Sequence, residues 1–266
     1  MPTGVLLTMT VESTRATAPV RIAEDDHWWF HTRTQALFRV LDPIARPDGL
    51  VLDVGSGAGN MAHHLARYGQ VVGVDNALEP LSVAWQRGYR SLPGGADELP
   101  FAANTFDLVA LLDIIEHAEN DAGILAEAHR VCRPGGLVTI TTPAFGWLFS
   151  HNDVVNHHLR RYTAPHLRRL LEQSGFRVRF LSYTYFLVFP AAAGLIMVRR
   201  VMGTEKELAS PDDGAYQVEM EPTPEPLNSI LAKLGDWEAS LLGRTSLPWG
   251  TALLAVGERP PENGTR

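Results

Sequence analysis

Apolar and polar positions along the chain fall into two kinds of block. Short unbroken apolar runs, typical of strands buried on both faces, alternate with stretches in which apolar residues return every three or four positions, typical of amphipathic helices. Leu50 to Val54 (LVLDV) predicts a strand ending at Gly55, and Met61, Leu65 and Tyr68 follow at helical spacing. Gln70 to Val74 predicts a second strand ending at Asp75, then a helix over Leu78 to Arg87. Phe106 to Leu112 reads as a strand, Ala122 to Cys132 as a helix closed by Pro134-Gly135-Gly136, and Leu137 to Thr141 as a β-branched strand. Thr163 stands as an N-cap with Pro165 in the first turn of a helix that stops at Gly175. Phe176 to Tyr185 and Thr251 to Gly257 read as two further strands. This alternation predicts an α/β fold, a mostly parallel sheet with helices on both faces.

The last two strands are separated by more chain than a sheet connection needs. We therefore divide the sequence into an N-terminal arm at 1–21, a sheet domain at 22–184 and 249–259, an insertion at 185–248 and a tail at 260–266. The insertion holds an apolar stretch from Tyr185 to Met202, an acidic Pro-rich loop and an amphipathic helix. In that helix Leu227, Ile230, Leu231, Leu234, Trp237 and Leu241 share a face, and the insertion is expected to cap one end of the sheet. The apolar core of the stretch, with Pro190 inside it and Arg199-Arg200 behind it, is shorter than the roughly 20 residues that span a bilayer. A buried helix or a pocket wall is the first expectation, with peripheral membrane contact the alternative.

Composition changes the picture in two places. At 45% hydrophobic and 20% charged the chain can bury a large core, which excludes disorder, collagen and disulfide scaffolds. The single Cys132 and the lack of an apolar leader lead us to expect a cytoplasmic setting. The net charge of -7 is local: seven acids between Gly203 and Pro226 (Glu205, Glu207, Asp212, Asp213, Glu219, Glu221, Glu225) face one Lys206, leaving the body near neutral. With no global basic excess, a nucleic-acid partner is not expected.

Candidate chemistry begins at Val51 to Asn60, VLDVGSGAGN. Glycines after a strand let the backbone turn and approach a ligand, and the following helix aims N–H groups at it. The dinucleotide fingerprint needs its third glycine where Asn60 stands, so a dehydrogenase is the poorer fit. The pattern resembles the first motif of class I S-adenosylmethionine-dependent methyltransferases, and Asp75, Asp97, Phe106-Asp107 and Arg130 to Gly136 follow at that family's intervals. The resemblance implies a Rossmann-like seven-stranded sheet with an antiparallel last strand. It also implies cofactor contacts from Asp53, Gly55, Ser56, Gly57, Asp75, Asn76, Asp97 and Glu98, with Asp75 on the ribose and Asp97 on the adenine amino group.

Upstream, His27-Trp28-Trp29-Phe30 followed by Arg33 places three aromatics side by side. Neighbours on a helix diverge by about 100°, so they cannot all face one core, and some must line a pocket or lid. The segment resembles one in a branch of bacterial type 11 methyltransferases, which implies Trp29 and Arg33 as cofactor contacts. His63, His64, His129 and His166 lie on flanking helices, where surface positions are expected.

After the fourth run comes Asp113-Ile114-Ile115-Glu116-His117, and after the fifth Ser150-His151-Asn152-Asp153 and His157-His158-Leu159-Arg160-Arg161-Tyr162. Ligands of open α/β sheets lie beyond the carboxyl ends of the strands, so both clusters should converge there. The first, joined by a distant histidine, is similar to the divalent-metal site of small-RNA 3′-terminal 2′-O-methyltransferases and some quinone O-methyltransferases, although those RNA enzymes carry glutamate where Asp113 stands. This implies Asp113, Glu116, His117 and His158 as ligands of Mg2+ or another divalent ion, with Glu116, His117 and His158 catalytic. A metal-free alternative has Asp113 hold the cofactor's amino group while His117 acts as general base.

His151, Asp153, His157, Arg160, Arg161 and Tyr162 are the candidate acceptor contacts. Two arginines and a tyrosine suit a sugar or phosphorylated acceptor, although an arginine can equally pair with the loop acids. The expected activity is therefore O-methylation of a saccharide or glycan, a small-molecule or oligosaccharide acceptor, as in the bacterial polysaccharide O-methyltransferases the branch resembles, the mycobacterial methylmannose enzymes included. The alternatives are a quinone or lipid methyltransferase with an apolar pocket and a non-catalytic cofactor-binding module. A homodimer is compatible with the insertion.

Overall fold

The computed structural model describes residues 23–203 and 223–261. The arm at 1–21, most of the acidic loop and the end of the tail lie outside these residues.

Seven strands, β1 (Gly49–Val54), β2 (Gly69–Asp75), β3 (Ser91–Pro93), β4 (Phe106–Leu112), β5 (Cys132–Pro143), β6 (Arg177–Thr184) and β7 (Ala252–Glu258), form one sheet. Their order is β3-β2-β1-β4-β5-β7-β6, with β7 antiparallel to both neighbours and the other pairs parallel. The six expected strands are all present. β3 was not legible as a separate strand, because three residues of which two are exposed carry neither an apolar run nor an alternation.

Helices cover both faces. α1 (Trp28–Leu41) and α2 (Ala62–Leu65) pack on one face, where Leu37, Leu65, Leu108 and Val256 form one core. α4 (Asp121–Val131) and α6 (Ala164–Gln173) pack on the other around Leu125, Leu167, Val109 and Ile140. α3 (Leu78–Gln86) connects β2 to β3, and the short α5 (His151–Val155) follows β5. Thr163 occupies the N-cap position of α6 with Pro165 in the first turn, but its hydroxyl makes no cap bond. The Ala164 N–H donates instead to the Tyr183 hydroxyl at 3.1 Å.

The 185–248 segment takes one of the two forms expected of its apolar stretch and departs from expectation in its second helix. α7 (Phe189–Met202) has no buried residue, so it is a wall and not a buried core helix. α8 (Leu227–Leu242) packs along α1 through Gly235, Glu238, Ala239 and Leu242, leaving Leu227, Ile230, Leu234 and Trp237 of the expected inner face exposed. Two local facts choose this face. A Cβ on Gly235 would stand 2.0 Å from Thr32 Oγ1, so only glycine permits the close approach to α1. The buried Glu238 carboxylate accepts from the backbone N–H groups of Tyr185 and Leu187, which binds the chain after β6 to α8. No helix among the described residues is long and apolar enough to cross a membrane.

Candidate active site

The parallel strands deliver Gly55, Asp75, the Asp97 loop, Asp113 and the segment after Pro143 to one edge of the sheet. Gly55 has φ +70°, and a Cβ there would stand 1.9 Å from Ile114 Cδ1, so this turn requires glycine on both counts. The Asp75 carboxylate accepts from Gly57 N–H and Ala77 N–H, both at 2.9 Å, which fixes the loop against β2. Asn76, Asp97 and Glu98 are solvent-facing beside it. Ser56 is buried and its Oγ has no hydrogen-bond partner. Asp53 is buried at the end of β1, and burial pushes its carboxyl up to about 7, with Arg33 opposing the rise and Asp75 adding to it.

Arg33 crosses from α1 to the end of β4 and donates to Asp113 Oδ2 at 2.6 Å, while its buried Nε has no partner. Its guanidinium lies over the Trp29 and Phe30 rings, at 5.1 and 4.9 Å from their centroids. Trp29 in turn stacks on Tyr185, 5.7 Å away and 7° from parallel. The three adjacent aromatics thus divide as their helical divergence requires, between the Arg33 shelf and the Tyr185 stack.

Asp113 corrects one expectation. Its backbone is left-handed (φ 58°), and its carboxylate is taken by Arg33 and by the Thr141 hydroxyl at 3.0 Å. The group that converges is Glu116, His117 and His158, whose candidate ligand atoms lie within 4.8 Å of one another, without Asp113. Glu116 is fully buried: Oε2 accepts from the Thr142 hydroxyl at 3.0 Å, and Oε1 has no partner. Burial raises its pKa well above the ordinary carboxylate range, and Asp113 reinforces the rise. Burial lowers that of His117, helped by His158, which favours a neutral imidazole. Thr141 and Thr142 were not anticipated. Adjacent β5 side chains point to opposite faces, and this alternation lets them serve two different acids.

Asp153 is the buried hub behind this group. It accepts from His158 Nδ1 at 2.9 Å, from Arg161 Nε and Nη2 at 2.7 and 2.9 Å, and from the Ser150 N–H at 2.7 Å. Burial alone would raise its pKa, but the His158 and Arg161 bonds outweigh that and hold the carboxyl below its usual range. Asp153 is therefore a positioning group, correcting its expected place against the acceptor.

Three further acceptor candidates have other partners or surroundings. Arg160 is paired with Asp121 at 3.2 Å and with the Glu119 carbonyl. Tyr162 is fully buried and donates to Asp121 and the Ile115 carbonyl. His157 has an exposed side chain on a left-handed backbone, and what it offers His117 is a backbone hydrogen bond.

Beside the hub lies a cavity of about 650 Å³. It is lined by Val188, by Ala191, Ala192, Leu195 and Ile196 of α7, by Leu227 and Leu231 of α8 and by Trp28 and Trp29, with Ser150, His151, Asn152, Arg161 and Arg199 supplying polar atoms. Trp29 also borders a narrow void lined by Arg33, Asp113 and Thr141, so this residue is shared by the two spaces.

Residues 52–140 match the methyltransferase domain family. Over those residues the chain carries a methyltransferase domain. The strand order with its antiparallel β7 agrees with that fold. A chain from the complex between the Haloferax volcanii Trm112 methyltransferase activator and a methyltransferase superposes with a TM-score of 0.57 at 20% identity, covering 90% of this chain and 92% of that one. Among curated relatives, the ubiquinone biosynthesis O-methyltransferase of Hahella chejuensis is 37% identical over 37% of this chain and 44% of its own length. A Mycolicibacterium smegmatis protein named "probable S-adenosylmethionine-dependent methyltransferase" is 30% identical over 58% of this chain and 61% of its own. The chain thus spans about half the length of the first and somewhat more of the second.

Proposed function

We propose that this methyltransferase moves the methyl group of S-adenosylmethionine to a hydroxyl oxygen of an acceptor with a largely apolar body. The observation that carries the reading is the 650 Å³ cavity, lined mainly by apolar side chains of α7 and α8 and by Trp28 and Trp29, with a few polar groups among them. A saccharide acceptor was favoured by Arg160, Arg161 and Tyr162, but Arg160 and Tyr162 are bonded away from the cavity and Arg161 is largely occupied by Asp153. The name of the Hahella relative, an O-methyltransferase of ubiquinone biosynthesis, is in keeping with an apolar acceptor.

The residues at the glycine loop fit the cofactor: Gly55, Gly57 and Gly59 all take a left-handed backbone that turns the loop sharply after β1, and the Ser56 Oγ and Arg33 Nε are buried without partners. Asp75 would hold the ribose hydroxyls, Asp97 the adenine edge, Arg33 the carboxylate, and Asp53 with Asp113 the amino group. Bound S-adenosylmethionine supplies an already electrophilic sulfonium methyl. The protein's part is to align the acceptor oxygen and manage its proton.

Glu116, His117 and His158 fit a divalent cation. Two imidazoles and one carboxylate are an acceptable donor set, Glu116 Oε1 is buried and unpaired, and His158 is oriented from behind by its hydrogen bond to Asp153. An ion there would lower the pKa of the acceptor hydroxyl. A second reading, His117 as a metal-free base, is favoured by its neutral imidazole.

Methyl transfer from labelled cofactor to hydroxylated aromatic, lipid and saccharide acceptors tests the proposal. Transfer to saccharides alone, or to nitrogen, would overturn it, and cofactor binding without transfer to any acceptor would point to a non-catalytic module. Loss of activity in EDTA with recovery on adding Mg2+, Mn2+ or Zn2+ supports the metal reading, and indifference to EDTA supports His117 acting alone.

A further inference from the structure

A second histidine cluster lies on the opposite flank of the glycine loop. Asp25, just ahead of α1, places Oδ2 2.9 Å from His63 Nε2 and Oδ1 2.8 Å from His64 Nε2. Consecutive helical residues point about 100° apart, so neighbouring imidazoles ordinarily diverge. Here the two rings lie 3.7 Å apart at 40°, and both Nε2 atoms turn to the same carboxylate. All three side chains are largely withdrawn from solvent, at 22, 11 and 20% exposure, contrary to the surface positions expected for the histidines. The ligand atoms lie within 4.8 Å of one another, and His63 Nδ1 is buried with no hydrogen-bond partner. Asp25 therefore does not exhaust the bonding capacity of the pair.

We propose that Asp25, His63 and His64 form a transition-metal site that clips the segment ahead of α1 to α2, the helix leaving the glycine-rich loop. Two imidazole nitrogens and one carboxylate oxygen select the Zn2+ class, with Co2+ and Ni2+ as close substitutes, over the oxygen-seeking Mg2+ and Ca2+. Three protein ligands leave a position for water. The ion would be structural. Asp25 precedes the Trp28-Trp29-Phe30 shelf by a few residues and α2 follows the loop directly, so the clip would join the two walls of the cofactor site. The inference is independent of the acceptor proposed above and of any ion at Glu116.

Zn2+ stoichiometry, measured by equilibrium dialysis on the EDTA-stripped full chain, tests it. The unmodified protein is expected to bind one equivalent more than the His63→Gln/His64→Gln double variant, while His117→Gln/His158→Gln keeps that equivalent. Equal binding by the unmodified protein and the His63→Gln/His64→Gln variant overturns the site, as does loss of the equivalent only in the His117/His158 variant. Should the double histidine variant fail to fold, Asp25→Asn preserves shape while removing the charge. It is expected to weaken Zn2+ binding by more than about tenfold, and an unchanged affinity again overturns the site. Zn2+ should also raise the Tm of the unmodified protein by mass action more than that of Asp25→Asn.

Discussion

Arg33 on α1 and Asp113 just after β4 are joined at 2.6 Å, with the guanidinium lying over the Trp29 and Phe30 rings. Arg33 is 10% exposed and Asp113 26%, so the pair is only partly hydrated. Its Asp113 end sits on a left-handed backbone, and its carboxylate is held by Arg33 and the Thr141 hydroxyl.

Replacing Arg33 with alanine should therefore have two effects. Asp113 is left without its cation, at a cost of about 2 to 4 kcal/mol, somewhat less than for a fully buried pair because Asp113 keeps some water. Cofactor affinity should also fall by about tenfold or more as the carboxylate clamp is lost. Calorimetric titration with S-adenosylmethionine checks the second effect, and unchanged affinity would remove Arg33 from the cofactor site.

Asp53 should make the cofactor-free protein sensitive to pH. Its folded pKa, about 7, stands above the ordinary 3.8, so the native chain holds a proton that the unfolded chain has released between those values. Stability contributed by this group is thus fully present below about pH 4 and declines until about pH 7. At 1.36 kcal/mol per pH unit the decline approaches roughly 4 kcal/mol. Asp53→Asn should remove it, so the Tm of the variant should gain on the unmodified protein across that window and run parallel above it. A difference in Tm independent of pH would contradict the assignment.

Asp153→Asn should be among the most destabilising polar substitutions. It leaves Arg161 (12% exposed) without its carboxylate and frees the His158 ring, at a cost of about 3 to 5 kcal/mol by denaturant unfolding at pH 7. Because the folded pKa is depressed, the stabilisation from this group is present above about pH 4 and is lost as pH falls toward the folded value, so the variant and the parent should converge in acid.

His117→Gln should lower kcat by about a hundredfold or more. In the unmodified enzyme the rate should rise with pH through an apparent pKa below the ordinary histidine value of 6.5, because burial and the neighbouring His158 disfavour the imidazolium. A pH-rate profile without that acid limb would take the proton away from this residue.

Ala192→Trp should fill part of the cavity while leaving the glycine loop untouched. The expected result is a rise in KM for bulky apolar acceptors, with kcat/KM falling by about tenfold or more, and unchanged affinity for S-adenosylmethionine. Normal turnover of such acceptors would place them elsewhere.

The succession of six strands along the chain, the glycine turn, the acids at the ends of β1 and β2 and the aromatic segment before Arg33 were legible in the sequence, because each is a local pattern: an apolar run, a residue type with a backbone need, a fixed spacing. β3 escaped because it is too short and too exposed to carry a pattern. The buried face of α8 escaped for a different reason. Its apolar periodicity points to Ile230, Leu234 and Trp237, whereas the packed side is chosen by the absence of a Cβ at Gly235 and by the two backbone N–H groups that Glu238 accepts from beyond β6.

The candidate site divides in the same way. Sequence by itself determined which chemical groups reach the carboxyl edge of the sheet, since strand ends and the loops after them are dictated by local order. Only the tertiary structure decided which of those groups are spent on one another. Asp113 goes to Arg33, Asp153 to His158 and Arg161, and Tyr162 to Asp121, while Glu116, His117 and His158 converge and two histidines of α2 meet Asp25. A buried polar group takes the partner that burial leaves within reach, and that partner lies far along the chain or on another strand where spacing carries no information.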